Sequence, residues 1–394
     1  MNENARVRSI DTLRGFALLG ILVMNIQAFA MPHAAYLNPS LFGSLEGSDG
    51  VAWAVGRWFF DFKFISLFST LFGASLVLAR DASPRKRLGW LVLFGLAHGY
   101  LIWFGDVLFT YGVVGMLAVG AREWPVRRLV WVGTSLILAS TVLLVVFGVF
   151  PRLIPSVVLE DLQVHYAGVG LAEEVEAFGG GWLTQLPVRA RVTFASQVWG
   201  TLLEAGWRVA GCMLLGMAAV KARVFEGFFR FWPWVPLALL GGLLISGAGV
   251  WLQWSSHFEL RAWFFAQACI ELGSLGLTGG YALSCVALVH RFPTALPLEA
   301  AGRLGRVAFS AYLMHSVVGT FVFGGHGLGL YGTWSRSALL PAAFVFWALQ
   351  LALAWWWTSQ FRVGPLEAVW RGLSRGDFSL GGTAPAAARG RQTF

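Results

Sequence analysis

The sequence predicts an all-α protein, a polytopic integral membrane helix bundle with about ten transmembrane helices. Three observations predict it. Of 394 residues, 57% are hydrophobic and 12% charged, with a mean hydropathy of +0.66; soluble domains carry about twice that charge density. Twenty Trp and 32 Phe suit a chain with two lipid interfaces to line. Apolar runs long enough to span a bilayer, roughly 17–25 residues, recur from end to end. Disordered, collagen-like and disulfide-stapled classes are excluded by the same composition.

The runs fall at 13–31, 61–79, 88–104, 107–121, 129–150, 197–220, 232–253, 263–289, 305–323 and 338–357. The third and fourth are the shortest and meet at the tight turn Gly105-Asp106. Placing the N-terminus inside puts twenty of the 29 Lys and Arg in cytoplasmic segments. The outer loops hold five: Arg152, Arg189, Arg191, Arg261 and Arg336. That bias follows the positive-inside rule and puts both termini in the cytoplasm. The net charge of +9 is then a topogenic signal, so the expected partner is the lipid bilayer and not nucleic acid. Ala28-Phe29-Ala30 imitates a signal-peptide cleavage site, but the topology works only if span one is retained.

The 151–196 stretch is read as the largest outer loop. It is acidic at first (Glu160, Asp161, Glu173, Glu174, Glu176), then carries Gly179-Gly180-Gly181, and is read as a cover over an outer opening. Residues 1–379 are expected to form one transmembrane domain and 380–394 a disordered tail. Cys212, Cys269 and Cys285 lie in apolar stretches without disulfide or metal spacing and read as core residues. The oligomeric state, a homo-oligomer included, is left open.

Ionisable groups at membrane depth cost at least ~2.5 kcal/mol each, so each must have a physical reason to be there. Asp11 and Arg14 stand three residues apart on one face of span one, with Asn25 further along it and His33 just past its end. His98 lies inside Gly95-x-x-x-Gly99, a pattern that lets another helix approach closely, and Asp106 follows eight residues on. A His oriented by a carboxylate is the usual arrangement for a general base. Glu204 and Arg208 are spaced i,i+4 and read as a self-neutralising pair. Gln267 and Glu271 lie one turn apart in span eight, Ser310, Tyr312, His315 and Ser316 in span nine, and Gln350 in span ten. Asp61 and Lys63 border span two and read as interfacial, as does the belt Trp355-Trp356-Trp357.

Gly327-Leu328-Gly329-Leu330-Tyr331-Gly332 matches G-x-G-x-x-G, but a transmembrane helix precedes it where dinucleotide binding needs a strand. It reads as a turn. No Walker, HExxH or GxSxG motif is present, so ATP-driven transport and the common soluble hydrolases have no support.

The stretch RSIDTLRGFALLGILVMN at 8–25 resembles the opening of the YeiB-like bacterial membrane proteins, and HGYLIWFGDVLFTY at 98–111 resembles their second signature. The C-terminal third, about 220–375, resembles their characteristic domain through Gly302-Arg303, FSAYLMHS at 309–316, GLGLYG at 327–332, Gln350 and FRVGPLEAVWR at 361–371. The resemblance implies a bacterial inner-membrane protein. The opening is also similar to span one of the transmembrane acyltransferases, the heparan-glucosaminide N-acetyltransferase and acyltransferase-3 types. Arg14-Gly15 matches the Arg-Gly that both share, and Asn25 stands where the heparan-type enzymes have Asn, with His33 the next His. This likeness implies an acyltransferase-like fold and acyl-CoA as co-substrate on the cytoplasmic side, with a small-molecule, glycan or lipid acceptor outside. It also implies Arg14 near the donor phosphate or pantetheine, Asn25 at the oxyanion, and His98 or His33 as base. A secondary transporter, proton- or anion-coupled, is the competing expectation; Glu204, Arg208, Glu271 and His315 would serve it. Helices broken near Gly241-Gly242 or Gly276–Gly280 would favour that alternative.

Overall fold

The computed structural model describes residues 3–79, 83–166, 168–226 and 228–381. Its longer helices are α1 (Glu3–Ala30), α2 (Ser48–Val55), α3 (Lys63–Leu78), α4 (Pro84–Leu101), α5 (Leu108–Ala118), α6 (Val126–Phe147), α7 (Ser156–Val164) and α8 (Leu171–Gly179). They continue with α9 (Trp182–Phe194), α10 (Gly206–Lys221), α11 (Val235–Ser255), α12 (Leu260–Arg291), α13 (Leu296–Arg306), α14 (Ala308–Phe323), α15 (Arg336–Gln360) and α16 (Pro365–Arg375). Among the described residues, extended structure is confined to a two-residue antiparallel pair, His165–Tyr166 with Val169–Gly170.

All ten expected positions are helical, but they differ in reach. Among the described residues, seven stretches are long and apolar enough to cross a membrane, and an eighth qualifies if α13 and α14, bent by 87°, count as one span. The third and fourth positions are a hairpin, α4 and α5. The first turn of α4 holds Arg85, Lys86 and Arg87, and α5 has 11 residues, a rise of about 16 Å against a hydrocarbon core of about 30 Å. Only 28% of the apolar window of α6 is buried, leaving Trp131, Leu138 and Val142 to face lipid. In water such a surface would be a large sticky patch.

The end of the bundle carrying the start of α1 is the N-side, and the opposite end the loop side. On the N-side, α13 lies across α1. A Cβ at Gly15 would sit 1.9 Å from the Ala301 carbonyl oxygen, and one at Gly305 1.8 Å from that of Asp11. The Gly of the Arg14-Gly15 motif is therefore needed for backbone contact. Gly15→Val and Gly305→Val are each expected to lower stability by at least about 1–3 kcal/mol, the usual cost of overpacking, measured as a lower Tm in nanodiscs; an unchanged Tm would show that the helices can separate freely.

Helix α16 packs beneath this corner. The Glu367 carboxylate accepts from the Phe309 and Ser310 backbone N–H groups at 2.7 and 3.2 Å and also bonds the Ser310 hydroxyl, so it caps the first turn of α14. Trp370 donates its indole N–H to the Arg87 carbonyl, and the Arg87 guanidinium lies 4.2 Å from its ring centroid.

Several expectations are corrected. Asp61 and Lys63 are buried, not interfacial. A π-helical turn at Gly56–Phe60 leads to a break at Asp61-Phe62, where Phe62 takes a left-handed φ of 62°, and the chain turns both charged residues inward. The sixth span begins at Trp182 rather than 197, because α9 continues through a π-helical segment, Ala195–Ala205, into α10. The acidic residues and the Gly179-Gly180-Gly181 run before it made the whole stretch look like loop. Gly241-Gly242 and Gly276–Gly280 do not break their helices; a Cβ at Gly242 would lie 2.7 Å from the Gly273 carbonyl oxygen, so they let α11 and α12 touch. Leu380 and Gly381 accept backbone bonds from Val363 and Arg362, while the rest of the expected tail, 382–394, lies outside the described residues.

Candidate functional site

The α4–α5 hairpin assembles the first group. A Cβ at Gly95 would lie 2.2 Å from the Phe109 nitrogen, so this glycine lets α5 start against α4 and brings Asp106 back beside His98. His98 Nδ1 is 2.8 Å from Asp106 Oδ1. Asp106 also accepts from the Leu108 and Phe109 N–H groups and from Gln197 Nε2 at 3.1, 2.9 and 3.1 Å. Asp106 thus has four hydrogen-bond partners. With Nδ1–H committed to Asp106, the lone pair of His98 lies on Nε2, which is buried and has no hydrogen-bond partner. This is the tautomer a general base needs.

Tyr312 of α14 packs on this dyad, its ring centroid 5.4 Å from that of His98. Its hydroxyl donates to the Gly105 carbonyl at 3.2 Å and accepts from Val107 N–H at 3.3 Å. On the other side Tyr312 lines a cavity of about 180 Å³. The cavity is also lined by Arg14, Arg87 and Arg306, by Glu367, and by Phe68, Phe72 and Leu91. Arg14 pairs with Asp11 at 3.1 Å, as the i,i+3 spacing predicts.

One turn beyond Tyr312, His315 Nε2 donates to Gln350 Oε1 at 3.0 Å, and Gln350 Nε2 donates to the Ala311 carbonyl. His315 Nδ1 and the Ser316 hydroxyl are buried without partners. Asn25 is half-buried on α1. Phe29, one turn on and so on the same face, lies 4.3 Å from Trp103 between ring centroids, and Trp103 meets His98 edge-on. No hydrogen bond among the described residues joins Asn25 to the dyad.

His33 is not part of this group. It sits on the loop side, where its backbone N–H donates to Glu174 Oε1 at 2.9 Å, and the Tyr331 hydroxyl donates to the same oxygen at 3.2 Å. Helix α8 of the acidic stretch is thus pinned over the ends of α1 and α14. Burial lifts the Glu174 carboxyl from its ordinary 4.5 to about 7 and lowers the His33 ring from 6.5 to about 4. For Glu174 the stabilising margin is present below about 4.5 and lost as pH rises through about 7; for His33 it is present above about 6.5 and lost as pH falls through about 4. The two slopes oppose, so protection of 171–179 against hydrogen exchange is expected to be nearly level between pH 4.5 and 6.5. In Glu174→Gln it should rise with pH over that window; a flat profile in the variant would contradict the assignment.

The Glu204–Arg208 pairing is corrected. Arg208 instead reaches Glu271 Oε2 at 3.4 Å and the Ser66 hydroxyl at 3.0 Å, and it also bonds Ser274. Glu204 lies in the π-helical segment, whose wider turn (i→i+5) defeats the i,i+4 rule. Beside this pair, Arg57 bonds Asp61 and reaches Gln267 at 2.8 Å, and Lys63 Nζ donates to the Arg57 carbonyl at 3.1 Å. A buried ionic network thus joins α2–α3, α10 and α12.

Sequence reading missed Gln197, which holds the second Asp106 oxygen, together with its companions. Gln185, Arg189, Thr193 and Gln197 recur every fourth residue, a one-face stripe. Arg189 bonds the Leu101 carbonyl, Thr193 that of Gly99, and Gln197 that of Gly95. The period was legible; the loop assignment hid it. In the 327–332 segment the turn reading holds, with Gly329 and Gly332 at φ 71° and 73°.

The family described as Protein of unknown function (DUF418) matches residues 218–377, from α10 to just past α16. Uncharacterized protein YeiB of Escherichia coli strain K12 is 32% identical over 383 residues, 93% of this chain and 95% of that protein. Uncharacterized protein YxaH of Bacillus subtilis strain 168 is 29% identical over 404 residues, 93% of this chain and 94% of that protein.

Proposed function

The chain belongs to the YeiB-like family, and from that premise and the geometry around His98 we propose that it is an acyltransferase, carrying an acyl group from cytoplasmic acyl-CoA to an acceptor reached from the loop side. The observation that supports this most is the cavity lined by Arg14, Arg87 and Arg306 together with Tyr312, whose ring packs beside the oriented His98. Three guanidinium groups among apolar walls suit a ligand with phosphates and a thin acyl-pantetheine arm. Of the acids nearby, Asp11 pairs among the described residues with Arg14 alone, and Glu367 is engaged with Phe309 and Ser310. In this reading the N-side is cytoplasmic.

The acceptor hydroxyl or amine gives its proton to His98 Nε2 as its oxygen or nitrogen bonds the thioester carbonyl carbon. The resulting oxyanion takes a hydrogen bond from the Asn25 amide, a contribution of roughly 3–4 kcal/mol in comparable sites. Collapse breaks the C–S bond, and the thiolate recovers the proton from His98. The products are an ester or amide and the free thiol of coenzyme A, with nothing oxidised or reduced. Asp106 holds the tautomer and stabilises the imidazolium.

The test uses purified protein in nanodiscs supplied with acetyl-CoA and longer acyl-CoAs. Saturable binding, weakened by Arg14→Ala, and thiol release are expected; folded protein that binds no acyl-CoA overturns the reading.

A second reading, a secondary transporter, is favoured by one observation: the span interrupted at Asp61-Phe62, with Arg57, Lys63, Arg208 and Glu271 buried around the break. Interrupted helices beside buried charge are common at transporter binding sites. Solute uptake into proteoliposomes that needs Glu271 but not His98 would select it.

A further inference from the structure

Four arginines are buried among the described residues: Arg57, Arg189, Arg208 and Arg336. Three have a carboxylate for company. Arg57 pairs with Asp61, Arg208 with Glu271, and Arg336 stands near Asp49. Among the described residues, Arg189 pairs with none. Its Nη1 donates to the Leu101 carbonyl at 3.0 Å and its Nη2 to Gln185 Oε1 at 2.5 Å, while its Nε is buried without a partner. The last carbonyl of α4 supplies at most about half a negative charge. The guanidinium carbon also lies 5.9 Å from the Phe178 ring centroid, but a guanidinium withdrawn from water with a distant ring, neutral acceptors and no carboxylate is left undercompensated.

The surroundings add positive character. Helix α9 begins at Gly181-Trp182, two turns before Arg189, and its first N–H groups and dipole favour an anion. Gln185 Nε2 is shared among the Phe178 and Gly180 carbonyls at 3.3 and 3.0 Å and His326 Nδ1 at 3.1 Å, so an arriving oxyanion would take its donation from one of these acceptors; His326 is half-buried in the loop between α14 and α15. Burial, and then the Arg189 charge, lower the His326 ring below its ordinary 6.5. The acid on neighbouring α8, Glu174, is engaged with Tyr331 and His33. Gly179 and Gly181 are exposed, and no atom lies within 4 Å of where a Cβ would stand on either, so this surface is open to an approaching ligand.

We propose that Arg189, Gln185 and His326 form a loop-side binding site for an oxyanion, the phosphate or carboxylate of a small solute or of a lipid headgroup. The proposal stands apart from acyl transfer: it rests on a missing counter-charge, and its test reads binding. If transfer also occurs, the acceptor is the anionic molecule held here. Bound anion would offset the Arg189 charge and restore a proton to His326.

The test places the whole protein in phosphatidylcholine nanodiscs and adds inorganic phosphate, with chloride at matched ionic strength as control. Thermal unfolding and the NMR titration of His326 are followed. Phosphate, but not chloride, should raise Tm saturably and move the His326 titration to higher pH. Arg189→Gln should weaken binding at least about thirtyfold, as expected for losing the charged partner of a buried ion, with Arg189→Lys in between. Nanodiscs containing phosphatidylglycerol and no phosphate separate the sources. The same two shifts there, with added phosphate then without effect, identify a headgroup; shifts with phosphate alone identify a solute. Folded wild-type protein that responds to neither source overturns the proposal, and so does an undiminished response in Arg189→Gln. If that variant fails to fold, His326→Ala and the wild-type His326 titration decide: an unweakened response in the first or an unmoved titration in the second overturns it.

Discussion

His98→Ala is expected to lower acyl-CoA-dependent thiol release by about 10²- to 10⁴-fold, the usual worth of a positioned general base, with Tm nearly unchanged. The ring makes one side-chain hydrogen bond, to Asp106, whose other three donors remain in place. Asp106→Asn should also cost activity, because an amide can donate to Nδ1 and leave the proton on the wrong nitrogen, an effect of about 10⁴ where it has been seen in a serine-protease triad. It should lower Tm as well, since the first turn of α5 loses a charged cap. Rates are to be compared at saturating donor, so that a change in binding is not taken for a change in chemistry. A His98→Ala protein that is folded and fully active removes the residue from the mechanism.

Arg208→Met should destabilise the protein by about 3–5 kcal/mol, because it leaves Glu271 charged and buried with its ion-pair partner gone. Arg208→Met with Glu271→Leu should recover most of that loss, since the cost lies in the stranded charge rather than in the bond. Unfolding in nanodiscs measures both, and equal loss in the single and the double variant would show that the network packs the bundle in some other way. The same pair of variants bears on the transport reading: a double variant that is stable, yet still catalyses thiol release, would separate the ionic network from the His98 chemistry.

Membrane class and helix positions were legible because an apolar run of about twenty residues matches the bilayer thickness and recurs too often here for a water-soluble core to absorb. His98 and Asp106 were legible as candidates from residue type and the Gly-x-x-x-Gly pattern, but their contact was not: it depends on the close approach of α5 to α4 at Gly95. What stayed hidden depended on three-dimensional facts without a local signature. Arg208 had two acids within plausible reach, Glu204 by spacing and Glu271 by fold, and a π-helical turn decided between them. The depth of Asp61 and Lys63 followed from one left-handed residue, Phe62, a phenylalanine that carries no breaker signal. Gln197 was seen only as the start of a span, and Glu367 only as part of a matching motif, though each completes another element's hydrogen bonds.

The Glu367 cap has a consequence for how the protein is made. The first turn of α14 leaves the ribosome 57 and 58 residues before the carboxylate that satisfies its Ser310 and Phe309 N–H groups, and α15 must be laid into the bilayer in the interval. Until α16 arrives, the bent α13–α14 corner has bare donors at the membrane boundary, where no neighbouring strand or helix can replace the cap. Assembly of the Tyr312 side of the site is therefore a late event, finished only after the last span is inserted. Chains ending before Pro365 should insert and then be cleared by membrane proteases, whereas a tag placed after Gly381 should be tolerated.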